Sequence, residues 1–344
     1  MDVTPPGERL GPWLARALAA KACRIERWAK LGGGAIQENW AIDVTIEGGP
    51  RAGALALVLR TDAPSGVAAS HSRVHEYALL AAAHGAGVTV PEPLAVCVDP
   101  GVIGKPFYVM RRAEGTAAGH ILTRDDKWHG DRIALVARLG EELARIHSIR
   151  PPRDDLSFLE IPSQPPAEAA IAEYRAALDG YDQPRPALEW GLAWLAANAP
   201  PTRELVLCHR DYRTGNYMAD AIGLTAILDW EFAGWGDPYE DIAWFCAKCW
   251  RFGVNAREAG GMADRETFFR GYERVAGRSI DRTAVYYWEV MAHARWTTIA
   301  LMQGWRHVSG AERSLDLALT GRRVAELEYE LLRMTAPAPR AREA

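Results

Sequence analysis

The sequence has little cysteine and no long apolar or basic run. Its five cysteines in 344 residues form an odd, sparse set, which argues against a disulfide framework. No stretch approaches the roughly 20 apolar residues of a membrane-spanning helix, and the first residues lack the basic flank and apolar core of a signal peptide. Basic residues are scattered. We therefore expect a cytoplasmic protein with neither a membrane nor a nucleic-acid partner, and the sequence carries no signal for an oligomeric state.

The composition predicts a folded chain. Hydrophobic residues make up 49% of the sequence and the formal net charge is only -4. A chain of 344 residues exceeds one average domain and suits two lobes with large cores.

The most informative motif is His209-Arg-Asp211. Asn216 follows the aspartate by five residues, and Asp229 follows it by eighteen. In phosphoryl transfer, one carboxylate orients the attacking hydroxyl, while an asparagine and a second aspartate hold magnesium on the phosphates. The motif supplies candidates for all three roles in the required order.

The local sequence predicts how these side chains converge. Two apolar runs, 205–207 and 224–228, are typical of short buried strands whose ends deliver Asp211 and Asp229 into adjacent loops. Thr214-Gly215 supplies a turn that brings Asn216 back toward Asp211. Carboxylate and amide oxygens suit magnesium, which is a hard cation.

A non-functional interpretation exists for each residue. Aspartate and asparagine are common in turns after strands, and Asp-Trp-Glu could cap a helix. The spacing of Asp229, together with Gly236-Asp-Pro and Asp241 downstream, favours the functional interpretation.

These motifs resemble the aminoglycoside phosphotransferase family, which is the small-molecule branch of the protein-kinase-like fold. The segments that carry the resemblance are Leu-Cys-His-Arg-Asp-Tyr-Arg-Thr-Gly-Asn ending at Asn216, Ile-Leu-Asp-Trp-Glu ending at Glu231, and Gly-Asp-Pro-Tyr-Glu-Asp ending at Asp241. The chain looks similar to the branch of domains fused to acyl-CoA dehydrogenases. Typical protein kinases carry Phe-Gly after the metal-binding aspartate, where this chain has Trp-Glu.

The resemblance implies an α+β, bilobal fold. Residues 1–111 would form a small antiparallel nucleotide-binding lobe. Residues 112–344 would form a larger, mainly helical lobe with the catalytic loop, the metal loop and an acceptor pocket.

Three glycines and one methionine are candidates for nucleotide contacts. Gly32, Gly33 and Gly34 lie in a predicted hairpin that can cover phosphates, although three glycines also suit a flexible turn. Met110 ends a predicted strand that leads into the hinge between the lobes, although it could equally belong to the core. ATP is expected from the resemblance, and GTP is not excluded.

One position departs from the kinase pattern. Arg60 ends the predicted third strand, where a phosphate-binding lysine belongs, and Glu76 on the following helix is its natural partner. A guanidinium can fork onto phosphate oxygens and also pair with a carboxylate. In the alternative interpretation, Glu76 lies on a solvated face.

The acceptor leaves weaker traces. Seven of the 13 tryptophans follow residue 229, and they could line an apolar pocket or simply form core. A polycationic aminoglycoside would need several carboxylates, but the candidates are interleaved with aromatic residues. We therefore prefer a hydroxylated, partly apolar acceptor. The candidate carboxylates are Glu231, Glu240, Asp241 and Glu289.

Together these features predict an ATP-dependent small-molecule kinase that uses Mg²⁺. Asp211 would act on the acceptor hydroxyl, with His209 supporting its loop, and Asn216 and Asp229 would bind the metal. Two alternatives stay open, namely a nucleotide-binding regulator without catalysis and a true antibiotic kinase.

Overall fold

The small lobe is built on an antiparallel sheet of five strands in the order β1-β2-β3-β5-β4. The computed structural model describes residues 8–32, 37–63, 70–125, 128 and 130–337. The elements of this lobe are α1 Leu10–Ala17, β1 Ala22–Lys30, β2 Gln37–Glu47, β3 Gly53–Asp62, α2 Arg73–Gly85, β4 Pro93–Cys97 and β5 Phe107–Arg111.

The two faces of this sheet serve different purposes because side chains alternate along a strand. Leu57 and Leu59 of β3 face a core that includes Leu10 of α1. Val58 belongs instead to a cluster shared with the large lobe. Arg60 lies two residues after Val58 and therefore faces the same side of the sheet. Its side chain is directed toward the cleft between the lobes.

The large lobe is mainly helical. Its helices α4 and α8 approach closely at two glycines, since a Cβ added to Gly140 would lie 2.2 Å from the carbonyl oxygen of Phe268, and one added to Gly271 would lie 2.0 Å from that of Ala137. The helices are α3 Gly119–Arg124, α4 Arg132–Ile146, α5 Pro166–Asp179, α6 Pro186–Ala197, α7 Pro238–Cys246, α8 Arg265–Ala276, α9 Arg282–Val308, α10 Leu315–Gly321 and α11 Val324–Thr335.

Two short two-stranded sheets in this lobe carry the loops of interest. Strand β6 (Val206–Cys208) pairs with β9 (Gly234–Gly236), and β7 (Tyr217–Ala219) pairs with β8 (Leu224–Ile227). No helix among the described residues combines the length and apolarity needed to cross a bilayer.

The structure differs from the sequence prediction in three places. Strands β7 and β9 were not predicted, and each pairs with one of the two predicted strands. The loops that follow the predicted strands are adjacent, as expected, since the His209 ring lies 2.8 Å from the carbonyl oxygen of Leu228. The sequence also predicts a single helix over residues 314–334, where the structure has two helices, α10 and α11. The first ends at Gly321, where an added Cβ would come within 2.7 Å of the Cα of Gly304 in α9. The boundary between the two lobes, expected between residues 111 and 112, stays a prediction. Strand β5 ends at Arg111, directly before it.

Candidate active site

The loop after β6 is held in place by a buried carboxylate. Asp241 of α7 accepts hydrogen bonds from the backbone amides of His209 (2.6 Å) and Arg210 (2.7 Å), and the ring of His147 lies 3.3 Å from it. Arg210 has a φ of 62°, a left-handed conformation that is uncommon for a residue with a side chain. Asp241 therefore compensates for the cost of an unusual loop conformation.

Asp241 is free for this task because another residue caps α7. Asp237 accepts a hydrogen bond from the amide of Tyr239, and Glu240 reaches back to the amide of Asp237. Burial would raise the pKa of Asp241, but the His147 contact and the loop amides hold it below its ordinary value. The sequence leaves two structural roles open for Asp241, namely capping the helix it begins and anchoring the catalytic loop, and the structure shows the loop anchor.

His209 joins two loops through its ring. Its Nε2 lies 2.8 Å from the carbonyl oxygen of Leu228 and can only donate there, while its Nδ1 lies 3.3 Å from the amide nitrogen of Asp211 and accepts. Both ring nitrogens are therefore engaged in contacts with the two loops. The ring therefore supports the loop, and neither nitrogen is free to exchange a proton with a substrate.

Asp211 lies at the centre of the site with three side-chain donors. Trp244 Nε1 lies 2.9 Å and Arg213 Nε lies 3.0 Å from its Oδ1, and Asn216 Nδ2 lies 2.5 Å from its Oδ2. Burial would raise the pKa of Asp211, but the charges of Arg213 and Arg295 and the indole hydrogen bond hold it below its ordinary value. The group is therefore a carboxylate near neutral pH.

Asn216 and Asp229 flank the base of the β7–β8 hairpin. The amide of Leu228 donates to the carbonyl oxygen of Asn216 at 2.8 Å, so the residue before Asp229 is paired directly with Asn216. Asp229 has a φ of 63° and its side chain is 36% exposed. Because the amide nitrogen of Asn216 faces Asp211, its amide oxygen points away from that carboxylate. An accessible carboxylate beside an amide oxygen fits Mg²⁺.

Arg60 connects the small lobe to this loop. Its Nε lies 2.9 Å from Glu76 Oε1 and its Nη1 lies 3.0 Å from Asp229 Oδ1, while Asn39 Oδ1 is 3.4 Å away. Burial would lower the pKa of Arg60, but Glu76 and Asp229 raise it well above its ordinary value. Glu76 is buried and also contacts Arg73, so the structure brings the predicted pair together and excludes a solvated Glu76.

The start of α2 is tied to the large lobe beside Asp229. The amide of His71 donates to the carbonyl oxygen of Glu231 at 2.9 Å, and Ser70 Oγ and Gln37 Nε2 donate to Glu231 Oε2 at 2.9 and 3.2 Å. Burial raises the pKa of Glu231, although the charge of Arg60 opposes this. The position of Glu76 on α2 is thus coupled to the loop that carries Asp229.

The other predicted nucleotide residues are the three glycines and Met110. Gly33 and Gly34 fall outside the described residues, and Gly32 is exposed directly after β1. Met110 is buried in β5 opposite Val58, in the cluster shared by both lobes. Its surroundings match the core alternative, and its contact with nucleotide stays a prediction.

Two arginines near Asp211 were not identified from the sequence. The guanidinium carbon of Arg213 lies 4.4 Å from the ring centre of Trp250, and that of Arg295 lies 4.5 Å from the ring centre of Trp244. Arg295 Nη1 also donates to the carbonyl oxygen of Arg210 at 2.6 Å. Arg213 follows Asp211 by two residues and was detectable by proximity in sequence, whereas Arg295 lies on α9 and was not.

The tryptophans predicted for the pocket have several locations. Trp244 contacts Asp211, and Trp250 and Trp296 pack beside it. Three others, Trp230, Trp235 and Trp288, are buried, and Trp305 is 51% exposed.

The candidate carboxylates for a polycation all have other partners. Glu231 binds Gln37 and Ser70, Glu240 belongs to the α7 cap, and Asp241 holds the loop. Glu289 of α9 pairs with Arg265 at 2.9 Å.

The structure gives little support for metal binding by the cysteines near this site. Cys246 ends α7 and Cys249 follows in a short 3₁₀ turn. The ligand atoms of His147, Cys208 and Asp241 lie within 4.8 Å of one another. However, burial raises the pKa of the Cys208 thiol well above its ordinary value, and Asp241 already holds the loop. This cluster therefore has a structural role.

The small antiparallel lobe, the helical lobe and the paired loops define a protein-kinase-like fold. The profile of the phosphotransferase enzyme family matches residues 27–278. The chain therefore belongs to this family, as the sequence resemblance indicated.

Two curated relatives also align with part of the chain. Mouse acyl-CoA dehydrogenase family member 10 is 33% identical over 203 residues, which are 55% of this chain and 18% of that protein. Human acyl-CoA dehydrogenase family member 11 is 30% identical over 182 residues, which are 51% of this chain and 23% of that protein. The matched region thus spans about a fifth of each relative.

Solved structures share the fold at low sequence identity. A candidate aminoglycoside phosphotransferase from Ralstonia eutropha has a TM-score of 0.73 at 21% identity, covering 95% of this chain and 97% of its own. The aminoglycoside phosphotransferase APH(4)-Ia, in complex with AMP-PNP and hygromycin B, has a TM-score of 0.61 at 16% identity, covering 97% and 100%. A choline/ethanolamine kinase family protein from Mesorhizobium loti has a TM-score of 0.54 at 20% identity, covering 90% and 91%.

Proposed function

We propose that this phosphotransferase is a kinase that transfers the γ-phosphate of ATP to a hydroxyl group of a small molecule. The observation that carries the proposal is the convergence of Asp211, Asn216 and Asp229 on one cleft. Asn216 contacts Asp211 directly, and the 2.8 Å backbone hydrogen bond from Leu228 places Asp229 beside Asn216.

Asp211 would act on the acceptor. As an ionised carboxylate it orients the hydroxyl and receives its proton, while the hydroxyl oxygen bonds to the γ-phosphorus and the bond to the β-phosphate oxygen breaks. The donors Trp244 and Arg213 fix the direction of the carboxylate before the acceptor binds. Such preorganisation lowers the reorganisation needed at the transition state.

The nucleotide would lie between the lobes. Arg60, held by Glu76, would contact the α- and β-phosphates, and the hairpin with Gly32, Gly33 and Gly34 would cover them. The segment after Met110 would read the adenine edge. The structures of APH(4)-Ia with AMP-PNP and with ADP, each together with hygromycin B, support a nucleotide site in this fold.

Asn216 and Asp229 would hold Mg²⁺ through their side-chain oxygens. The ion, when bound, neutralises charge on the phosphates. Arg60 now pairs with Asp229, so binding of a dication at Asp229 would free Nη1 of Arg60 for a phosphate oxygen.

The test is transfer from [γ-³²P]ATP across a panel of hydroxylated metabolites with the whole chain and magnesium. Asp211→Asn should lower turnover by something like two to four orders of magnitude while nucleotide binding persists, as expected for loss of a general base. The matched control is Asp220→Asn in the β7–β8 turn, where Asp220 accepts hydrogen bonds from the amides of Ile222 and Gly223 and asparagine can do the same.

The same assay distinguishes a kinase from a nucleotide-binding regulator without catalysis. A chain that binds nucleotide but shows neither transfer nor magnesium-dependent hydrolysis would be a regulator. Turnover of Asp211→Asn near that of the natural chain would remove Asp211 from the mechanism.

A further inference from the structure

Two arginines, Arg213 and Arg295, act on the charge of Asp211. Arg213 pairs with Asp211 itself at 3.0 Å. Arg295 donates to the carbonyl oxygen of Arg210, and within the described part of the chain it has no carboxylate partner. Partly buried charges in proteins normally have a counter-charge, because leaving water is costly for an unpaired ion. Arg295 therefore has no direct ion pair among the described residues, and its charge acts on Asp211 and Glu240 only at longer range.

Aromatic stacking fixes the orientation of both arginines. Arg213 lies over Trp250 and Arg295 over Trp244, and the two indole rings are 5.2 Å apart. A guanidinium fixed by stacking presents its free edge as a planar fork, which matches carboxylate and phosphate oxygens. Trp244 also donates a hydrogen bond to Asp211. Arg295 is therefore stacked on the same indole that contacts Asp211.

We propose that the acceptor carries an anionic group, a carboxylate or a phosphate ester, which Arg295 binds while the hydroxyl of the same molecule faces Asp211. Arg213 lies over the neighbouring Trp250 and is already paired with Asp211. This inference rests on the proposed kinase function and names the substrate class. It also explains why the site suits a polycation poorly, since Glu231, Glu240, Asp241 and Glu289 have other partners.

The anion at Arg295 has two possible sources, because the transferred phosphate of the nucleotide is also an anion. Arg295 belongs to α9 of the helical lobe and stacks on Trp244 of α7, whereas the proposed phosphate ligand Arg60 lies on β3 of the small lobe. This location favours the acceptor as the source. A nucleotide role would affect all acceptors equally, whereas an acceptor role discriminates between them.

The experiment measures kcat/KM for [γ-³²P]ATP transfer to three series of equal chain length, namely hydroxycarboxylates, their methyl esters and amino alcohols. The acids should be preferred over the esters, and the amino alcohols should be poorest. Arg295→Gln keeps an N–H donor for the carbonyl of Arg210 but removes the charge. It should reduce the preference for acid over ester by about ten- to a hundredfold, which is the range for one charge-assisted hydrogen bond. Arg295→Lys should recover part of the preference.

Arg16→Gln, at an exposed position of α1, is the control and should leave the preference unchanged. Equal rates for acids and esters, or a preference for amino alcohols, would overturn the inference while the kinase function stands. An equal loss for all acceptors in Arg295→Gln, together with a higher KM for ATP, would assign Arg295 to the nucleotide and also overturn it. Absence of both transfer and ATP hydrolysis would reject the kinase function itself.

Discussion

The indole of Trp244 offers a sharp test of how the site controls Asp211. Its Nε1 lies 2.9 Å from Asp211 Oδ1. Trp244→Phe keeps a large aromatic group at a position that is only 2% exposed but removes this donor. The change therefore removes one hydrogen bond to Asp211 and keeps most of the packing.

The magnitude follows from the energy of a hydrogen bond to a charged group. Such a bond contributes about 1.5–3 kcal/mol, and one pKa unit corresponds to about 1.4 kcal/mol. Burial raises the pKa of Asp211, while Arg213, Arg295 and the Trp244 bond lower it. Loss of the Trp244 bond leaves burial less opposed, so the pKa of Asp211 should rise.

The sign of the effect on activity is fixed by the role of the group. Asp211 must be ionised to accept a proton, so its pKa sets the acid limb of the kcat/KM profile. We expect this limb to move to higher pH in Trp244→Phe. At neutral pH the variant should lose roughly tenfold in turnover, because the carboxylate is held less firmly.

Trp288→Phe is the matched control. Trp288 is 3% exposed, and its indole nitrogen has no hydrogen-bond partner among the described residues. Both variants remove the same atoms from a buried site, and each should lower the free energy of unfolding by a few kcal/mol at most. Urea denaturation of both variants separates this shared packing cost from the effect on Asp211.

The assay is initial-rate kinetics across pH with an acceptor found in the transfer screen. An unmoved acid limb in Trp244→Phe would refute the reasoning. So would an equal shift in Trp288→Phe, because that residue makes no hydrogen bond to Asp211.

Three further predictions concern the metal loop, the small lobe and the loop anchor. Asp229→Ala should abolish magnesium-dependent nucleotide binding and Asn216→Ala should weaken it less, because a charged oxygen holds a hard dication better than an amide oxygen; magnesium titration with bound nucleotide checks this, and unchanged metal dependence in both variants would contradict it. Arg60→Ala should raise KM for nucleotide and lower turnover, and Arg60→Lys should recover only part of the activity. The double variant Arg60→Ala with Glu76→Gln should lose little more activity than either single variant, whereas additive losses would show that the two residues act independently. Asp241→Asn should lower the free energy of unfolding by roughly 1–3 kcal/mol, because a buried loop amide loses its charged acceptor; urea denaturation measures this, and unchanged stability would count against the anchor.

The sequence was informative where the site is local in the chain. His209, Asp211 and Asn216 lie in one loop, so their spacing alone predicts that they converge. The family assignment and the bilobal fold were confirmed by the profile match and the structural neighbours. The structure also brings Arg60 and Glu76 together, because strand β3 and helix α2 follow each other directly.

The remaining part of the site comes from tertiary packing. Trp244 and Arg295 reach the loop from α7 and α9, and no periodicity shows that two helices will place them beside Asp211. For a similar reason, the sequence could not show whether Asp241 caps its helix or anchors the catalytic loop. Capping and loop anchoring use the same carboxylate chemistry, and only the observed cap by Asp237 shows which one applies.

The departure at Arg60 has a physical explanation in the same packing. One guanidinium contacts Glu76 through Nε and Asp229 through Nη1, whereas a lysine has a single nitrogen for both. Glu231 meanwhile accepts hydrogen bonds from Ser70 and Gln37. The strand, the helix and the Asp229 loop are therefore joined through two buried side chains, Arg60 and Glu231. We infer that the Arg60–Glu76 pair is assembled by folding, so nucleotide would meet a preformed phosphate site.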